Sequence, residues 1–178
     1  MGAFFVSATF EKTHLLPILL LRILRADLIL RLSRVSYHKF MPKLTLEQKM
    51  HRPFQAEVKV LDRAFGGMVA GQLMLISTPR DIETAIQLIP EKSFISVPQL
   101  RRQLAVSKGA DGTCPLTTGI FLRIVAEHAY ECYLNGKEVR NLPPVWRVID
   151  LTSPLAKKLP LGLLVLIREQ QSREGIHV

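Results

Sequence analysis

The sequence predicts a mainly α-helical domain with a small β wing, arranged as a winged helix-turn-helix. The 178 residues are 48% hydrophobic, which is enough for one core. Residues 96–107 and 115–135 have helical patterns and are separated by a short turn that contains glycine, as in a helix-turn-helix. Residues 145–149 then have the composition of a strand and are a candidate for the wing.

Residues 1–40 are predicted to be a basic, Leu-rich extension, helical or disordered. Charged residues such as Arg22 and Arg25 interrupt its apolar run, which is therefore far shorter than the ~20 residues needed to span a bilayer. The same charged residues lie in the stretch that would have to be the apolar region of a secretory signal, so the segment does not fit that pattern. Three interpretations stay open: an over-long gene start upstream of Met41, an ordered accessory helix, and a targeting segment. We do not expect this segment to contact a membrane.

Residues 41–70 are predicted to form an extended arm. Their composition is polar and mixed, and Gly66 and Gly67 provide a flexible joint. The winged-helix domain is predicted over residues 71–178, and it opens with a short apolar strand at 73–76.

The first helix of this domain is expected over residues 79–89. Thr78 offers a hydroxyl cap, and Pro79 suits the first helical position. Pro90 ends the helix, because proline lacks the N–H group that a further turn requires.

The first helix of the helix-turn-helix is expected to start after a cap at Ser96 and to stop at Gly109. Leu100 and Leu104 lie one helical turn apart, so both are predicted to face inward. This helix would pack under the second one, which reads the nucleic acid.

The second helix is expected to begin at Pro115, behind a cap at Thr113 or Cys114, and to end at Gly136. A last helix is expected to begin near Gly162. The predicted inward stripe of the second helix consists of Ile120, Ile124, Val125, His128 and Cys132.

The chain is basic, with a formal charge of +9 and a pI near 9.9. Residues 41–178 alone carry 18 Lys and Arg against 13 Asp and Glu, a net charge of +5. This balance favours a polyanionic partner, either nucleic acid or an anionic membrane face. The two cysteines, Cys114 and Cys132, have no metal-ligand spacing. We therefore expect no metal or cofactor, and a monomer in the reducing cytoplasm, at the nucleoid in a bacterium.

Four motifs follow one another between residues 73 and 175. They are Ile89-Pro90, Phe94-Ile95-Ser96-Val97-Pro98-Gln99-Leu100, Cys114-Pro115-Leu116-Thr117-Thr118-Gly119-Ile120-Phe121 and Pro144-Val145-Trp146-Arg147-Val148-Ile149. In this order they resemble the DNA-binding domain of the O6-alkylguanine-DNA alkyltransferases, and more narrowly the divergent alkyltransferase-like subgroup. The last motif is similar to the family's Pro-Cys-His-Arg-Val-Ile. The resemblance implies the fold of the alkyltransferase C-terminal domain and double-stranded DNA as partner.

The same resemblance implies a scaffold without the family's chemistry. The family's cysteine takes an alkyl group from damaged guanine and its histidine activates that cysteine, but Val145 and Trp146 occupy these positions. Val97 stands for the family's tyrosine, and no arginine near Thr117 matches the one that replaces a flipped-out base. Since transfer needs a thiolate polarised by an imidazole, the motif implies binding without transfer.

The candidate DNA contacts are hydroxyl groups and cations of the two helices, with the arginine that matches the family motif. They are Ser96, Arg101, Arg102, Lys108, Thr117, Thr118, Arg123 and Arg147. Val145 and Trp146 are the candidate walls of a base pocket, because an indole can stack on a base. Two alternatives stay open: Trp146 packs in the core, and Arg147 caps a helix or forms an ion pair.

Three functions remain open at this point. The first is a protein that binds duplex DNA, senses O6-alkylguanine or a distorted base, and recruits a repair protein without chemistry. The second is an active methyltransferase that uses Cys114, at a helix N-terminus, as a relocated nucleophile. The third is a winged-helix regulatory or interaction protein. The absent cysteine favours a protein that is not an enzyme.

Overall fold

The computed structural model describes residues 43–178, so the extension predicted at residues 1–40 lies outside the described residues. The described chain is mainly helical with one small three-stranded sheet, as predicted. Three 3₁₀ helices, Val139–Asn141, Val145–Arg147 and Ala156–Lys158, connect the last two α-helices. The other elements are α1 (Leu46–Met50), β1 (Glu57–Val60), β2 (Leu73–Ile76), α2 (Pro79–Gln87), α3 (Val97–Ser107), β3 (Gly112–Thr113), α4 (Pro115–Leu134) and α5 (Leu161–Glu174).

The segment predicted as an extended arm, residues 41–70, contains α1 and β1, and residues 44–178 form one compact unit. A capping box starts α1: the Gln48 N–H donates to the Thr45 hydroxyl at 3.1 Å, and the Thr45 N–H donates to Gln48 Oε1 at 3.0 Å. Met50 at the end of α1 is 2% exposed and belongs to the main core. The structure therefore differs from the predicted arm.

The sheet is built around the turn between α3 and α4. β1 and β2 form an antiparallel pair, with Val58 opposite Leu75 and Val60 opposite Leu73. β3, in the turn between α3 and α4, pairs in parallel with β2 and places Thr113 beside Leu75. Leu75 and Thr113 are buried, whereas β1 is exposed along its length. The sheet thus fixes the start of α4.

Residues 145–149, predicted as the wing, do not form a strand. They form the 3₁₀ helix Val145–Arg147 and the turn after it, where the Ile149 N–H donates to the Val145 carbonyl at 3.0 Å. Val145, Val148 and Ile149 are all buried in the main core. The wing prediction was wrong because the β-branched composition of this run reflects burial, not strand pairing.

The two helices predicted on either side of the glycine-containing turn are present as α3 and α4. Ser96 caps α3 together with Gln99, and Leu100 and Leu104 are buried as expected. Gly109 follows α3 with a φ of +65°, in the left-handed region that favours glycine. No strand follows α4 in the described residues, so the predicted wing is absent there.

The buried face of α4 differs from the predicted stripe. Ile120 is 49% exposed, whereas Leu122 is fully buried. His128 and Cys132 are only partly buried. Because the first half of α4 is apolar on nearly every side, its periodicity does not specify which face turns inward. The buried residues of α4 are Thr118, Leu122, Val125, Ala126 and Ala129.

Candidate nucleic-acid interface

A groove runs along the exposed face of the N-terminal half of α4. Its volume is about 630 Å³, and we call it the α4 groove. Its walls come from α1, from α4 and from the segment around the 3₁₀ helix Ala156–Lys158. The residues that line it are Lys49, Pro115, Leu116, Gly119, Ile120, Arg123, Ile124, Glu127, Pro154, Leu155 and Lys158.

The sequence builds this groove by leaving one apolar face of α4 uncovered. Pro115 occupies the first turn of the helix, and β3 fixes the backbone immediately before it. On the following turns, Leu116 is 62% exposed and Ile120 is 49% exposed. Large apolar side chains that stay exposed side by side are typical of a binding surface.

Three cations surround this apolar floor. Arg123 pairs with Glu127 at 2.7 Å, which neutralises part of its charge. Lys49 and Lys158 form no ion pair with any of residues 43–178. The α4 groove therefore carries excess positive charge, which attracts phosphate groups.

Of the predicted DNA contacts, Arg123 is the one that lines the α4 groove. Thr118 is fully buried, and its hydroxyl donates at 2.7 Å to the Cys114 carbonyl one helical turn before it. The half-buried Thr117 hydroxyl makes a longer bond of 3.4 Å to the same carbonyl. The predicted hydroxyl contacts on α4 are therefore occupied by the helix itself.

Three of the four predicted contacts at α3 also have structural partners. The Ser96 hydroxyl bonds Gln99, as the cap of the helix. The Arg101 side chain donates from Nε to the Thr113 carbonyl at 2.8 Å, and so ties α3 to β3. Lys108 pairs with Asp81 at 3.4 Å, in a different groove between α2 and α3. Arg102 is exposed and lines none of these grooves.

Of the two residues predicted as walls of a base pocket, Val145 lies in the core, whereas Trp146 borders a cleft. Val145 is 2% exposed and packs in the core. Trp146 is 5% exposed, and its indole N–H donates to Glu174 Oε1 at 2.6 Å. Arg147 forms an ion pair with Glu174 at 2.8 Å and donates from Nη1 to the Ile89 carbonyl at 2.6 Å. Of the roles left open for Arg147, the structure shows the ion pair.

Glu174 is the shared acceptor of this cluster. Burial alone would raise the pKa of its carboxyl group, but hydrogen bonds from Arg147, Trp146 and the Lys92 N–H outweigh this effect. The pKa of Glu174 is therefore lowered below its ordinary value. The carboxylate stays ionised and holds α5 against the tetrapeptide.

Cys114 lies at the N-terminus of α4, as predicted, but makes no side-chain cap. It is 5% exposed and packs with Met68 and Met74 in a small apolar cluster. A thiol that is buried in an apolar cluster behaves as a small apolar side chain. To act as a nucleophile, it would have to be accessible to the substrate.

The second cysteine, Cys132, lies near a polar network that joins α1 to α4. Glu47 accepts hydrogen bonds from His128 at 2.7 Å and from His51 at 2.8 Å, and the bond from His128 is the largest cause that lowers the pKa of Glu47. The Cys132 thiol is 3.8 Å from the same Nε2 atom of His128. Because Nε2 is occupied by Glu47, it is not available as a base for the thiol.

Two further findings concern chemistry and membranes. Within residues 43–178, no group of histidine, cysteine, aspartate or glutamate side chains is arranged to hold a metal ion. No helix in that range is long and apolar enough to cross a membrane.

No protein-family model, no curated protein and no solved structure matches this chain. The resemblance to the alkyltransferases therefore depends on the four sequence motifs alone and stays a prediction.

The sequence reasoning missed Lys49 and Lys158 as candidate contacts. Lys49 lies in the segment predicted as an arm, although Thr45 and Gln48 have the spacing of a capping box and so indicate a helix there. Lys158 lies in a segment without periodicity, and only the fold brings it to α4. No local pattern could have placed it.

Proposed function

We propose that this chain binds duplex DNA through the α4 groove, as an alkyltransferase-like protein that transfers no alkyl group. The observation that carries the proposal is the convergence of Lys49, Arg123 and Lys158 on the exposed face of α4, which we take as the second helix of a helix-turn-helix. Lysine and arginine neutralise phosphates, and the second helix of this motif is the one that enters a DNA groove.

The proposal includes recognition of a damaged base. The floor of the α4 groove, with Leu116, Ile120 and Leu155, offers an apolar surface to a base that has left the stack. The free energy needed to unstack and unpair a mismatched or alkylated base is lower than that for a normally paired base. A site that accepts an extruded base therefore binds damaged DNA preferentially. This surface takes the place of the pocket expected at Val145 and Trp146.

Binding without transfer agrees with the surroundings of both cysteines. The Cys114 thiol is buried among thioethers, and the histidine near Cys132 is held by Glu47. We propose that the protein marks the lesion for a repair protein, in the cytoplasm or at the nucleoid. The winged-helix form of the fold belongs to the same proposal, with a wing other than residues 145–149.

A titration of labelled duplexes tests this function. Two short duplexes, one with a central O6-methylguanine and one with guanine, are titrated by fluorescence anisotropy at several salt concentrations. We expect tighter binding of the damaged duplex, with a slope of log affinity against log salt of about −3 for three phosphate contacts. Equal affinity for both duplexes would remove the claim of damage sensing. No binding at low salt would remove DNA binding and favour a protein that binds other proteins.

A further inference from the structure

A second cleft surrounds Trp146 and shares no residue with the α4 groove. Its volume is about 490 Å³, and it lies between the end of α2, the 3₁₀ helix Val139–Asn141 and α5. We call it the Trp146 cleft. Its apolar wall contains Val139, Leu142 and Pro144, and its polar groups include Glu91, Arg140, Gln170 and Arg173.

Gln170 is the unusual member of this cleft. It is 7% exposed, and its side-chain amide makes no hydrogen bond with any of residues 43–178. The adjacent Gln171, which is equally buried, donates two hydrogen bonds of 2.9 Å to the carbonyls of Trp146 and Ile149. The amide atoms of Gln170 are not among the fully buried unpaired groups of residues 43–178, so they keep contact with solvent. Since Gln170 borders the cleft, its amide is free to pair with a ligand that enters there.

Some of the charged side chains of the cleft are paired with each other, and others are available to a ligand. Arg147 and Glu174 neutralise each other in their ion pair. Arg173 and Glu91 form no ion pair with any of residues 43–178, and Arg140 pairs only with the exposed Glu138. Arg140 and Arg173 thus offer two guanidinium groups to a ligand, while Glu91 offers one carboxylate.

We propose that the Trp146 cleft binds an extended peptide segment that carries an acidic side chain, supplied by a partner protein. The amide of Gln170 has both a donor and an acceptor, which match the carbonyl and N–H of a peptide unit. Arg173 and Arg140 bind the carboxylate of the acidic side chain, since a guanidinium fork fits a carboxylate with two bonds. The wall of Leu142, Pro144 and Trp146 packs against the apolar part of the segment.

A peptide fits this cleft better than a nucleic acid does. Glu91 lines it without an ion pair to any described residue, and its carboxylate repels a phosphate backbone but accepts the N–H groups of a peptide. The α4 groove has the opposite character, because its one carboxylate is paired with Arg123. The two surfaces are therefore assigned to different ligands, and the peptide site does not depend on DNA binding.

The only tryptophan in the chain, Trp146, reports occupation of the cleft by its fluorescence. The full chain is titrated with acetyl-Gly-Glu-Gly-amide, with acetyl-Gly-Lys-Gly-amide and with a short oligothymidylate. We expect a saturable change with the glutamate peptide alone. Gln170→Met and Arg173→Gln should each weaken this binding about five-fold or more, which corresponds to the loss of one hydrogen bond.

Arg168→Gln, an exposed change on the same helix, is the matched control and should bind the glutamate peptide as the wild type does. Arg173 is exposed, so Arg173→Gln tests the site even if Gln170→Met fails to fold. Equal changes with the glutamate and lysine peptides, competition by oligothymidylate, or unchanged affinity in Arg173→Gln would each overturn the proposal. These titrations contain no duplex, so their failure would leave the proposed function of the α4 groove intact.

Discussion

Trp146 and Glu174 are joined by a hydrogen bond of 2.6 Å from the indole N–H to Oε1. The same oxygen accepts a bond of 2.8 Å from Nη2 of Arg147. The last residue of α5 thus holds two neighbouring residues of the tetrapeptide that resembles the reactive motif. The tetrapeptide contains the 3₁₀ helix Val145–Arg147, and these bonds attach it to α5, so its first role is structural.

Replacement of Arg147 by methionine should strongly destabilise the fold. The change leaves the Glu174 carboxylate, with a side chain 15% exposed, without its charged partner. It also removes the bond to the Ile89 carbonyl. Breaking a buried pair costs about 3 kcal/mol or more, and urea unfolding at neutral pH measures this loss. Arg168→Met is the control, since Arg168 is exposed, and it should change the stability by less than about 0.5 kcal/mol.

The stability contributed by Glu174 should depend on pH in one direction. Its folded pKa lies below the ordinary value of 4.5, so the ionised form is favoured in the folded state. The contribution is fully present above pH 4.5 and is lost as the pH falls through the lowered folded pKa. Urea unfolding of wild type and Glu174→Gln should therefore differ most at neutral pH and converge in acid. A difference that grows as the pH falls would show that the pKa of Glu174 is raised instead.

Gly162 should not tolerate a side chain. A Cβ atom at this position would overlap the Tyr130 hydroxyl and lie 2.9 Å from the ring carbon that bears it. We expect Gly162→Ala to cost about 1–3 kcal/mol in thermal or urea unfolding. Removal of the hydroxyl in the double variant Gly162→Ala, Tyr130→Phe should recover part of this loss. Gly119→Ala, within α4 and with open space around it, should instead stabilise by about 0.5–1 kcal/mol.

Local signals were sufficient for the helices that have explicit ends. Pro79, Ser96 and Pro115 mark helix starts that the structure confirms, because caps and proline positions act over three or four residues. The capping box at Thr45 carried the same kind of information for α1 and was overlooked.

Features that depend on the whole fold could not be predicted locally. β-Branched residues such as Val145 and Ile149 occur both in strands and in buried turns, so the composition of this run did not distinguish a strand from a turn. The inward face of α4 depends on which of its apolar sides α2 and α1 cover. Lys49 and Lys158 both line the α4 groove although they are far apart in sequence. The sequence around each lysine contains no pattern that predicts this proximity.

Cys114 should be inert toward damaged DNA. Its thiol is 5% exposed and packs in an apolar cluster with Met68 and Met74, which shields it from a substrate. After incubation with O6-methylguanine duplex, intact-mass spectrometry should show no added methyl group. A methyl group located on Cys114 by peptide mapping, and absent from Cys114→Ser, would contradict this prediction and establish an enzyme.

The most direct measurement of the central claim compares DNA binding by two charge-matched double variants. Lys49→Gln, Lys158→Gln removes two cations of the α4 groove, and Lys137→Gln, Arg168→Gln removes two exposed cations outside it. In titrations of one duplex over a range of salt concentrations, the groove variant should bind more weakly than wild type, with a salt slope shallower by about 2. The control variant should keep the wild-type slope. Equal losses in both variants would show that the attraction is general charge and that the α4 groove is not the DNA-binding site.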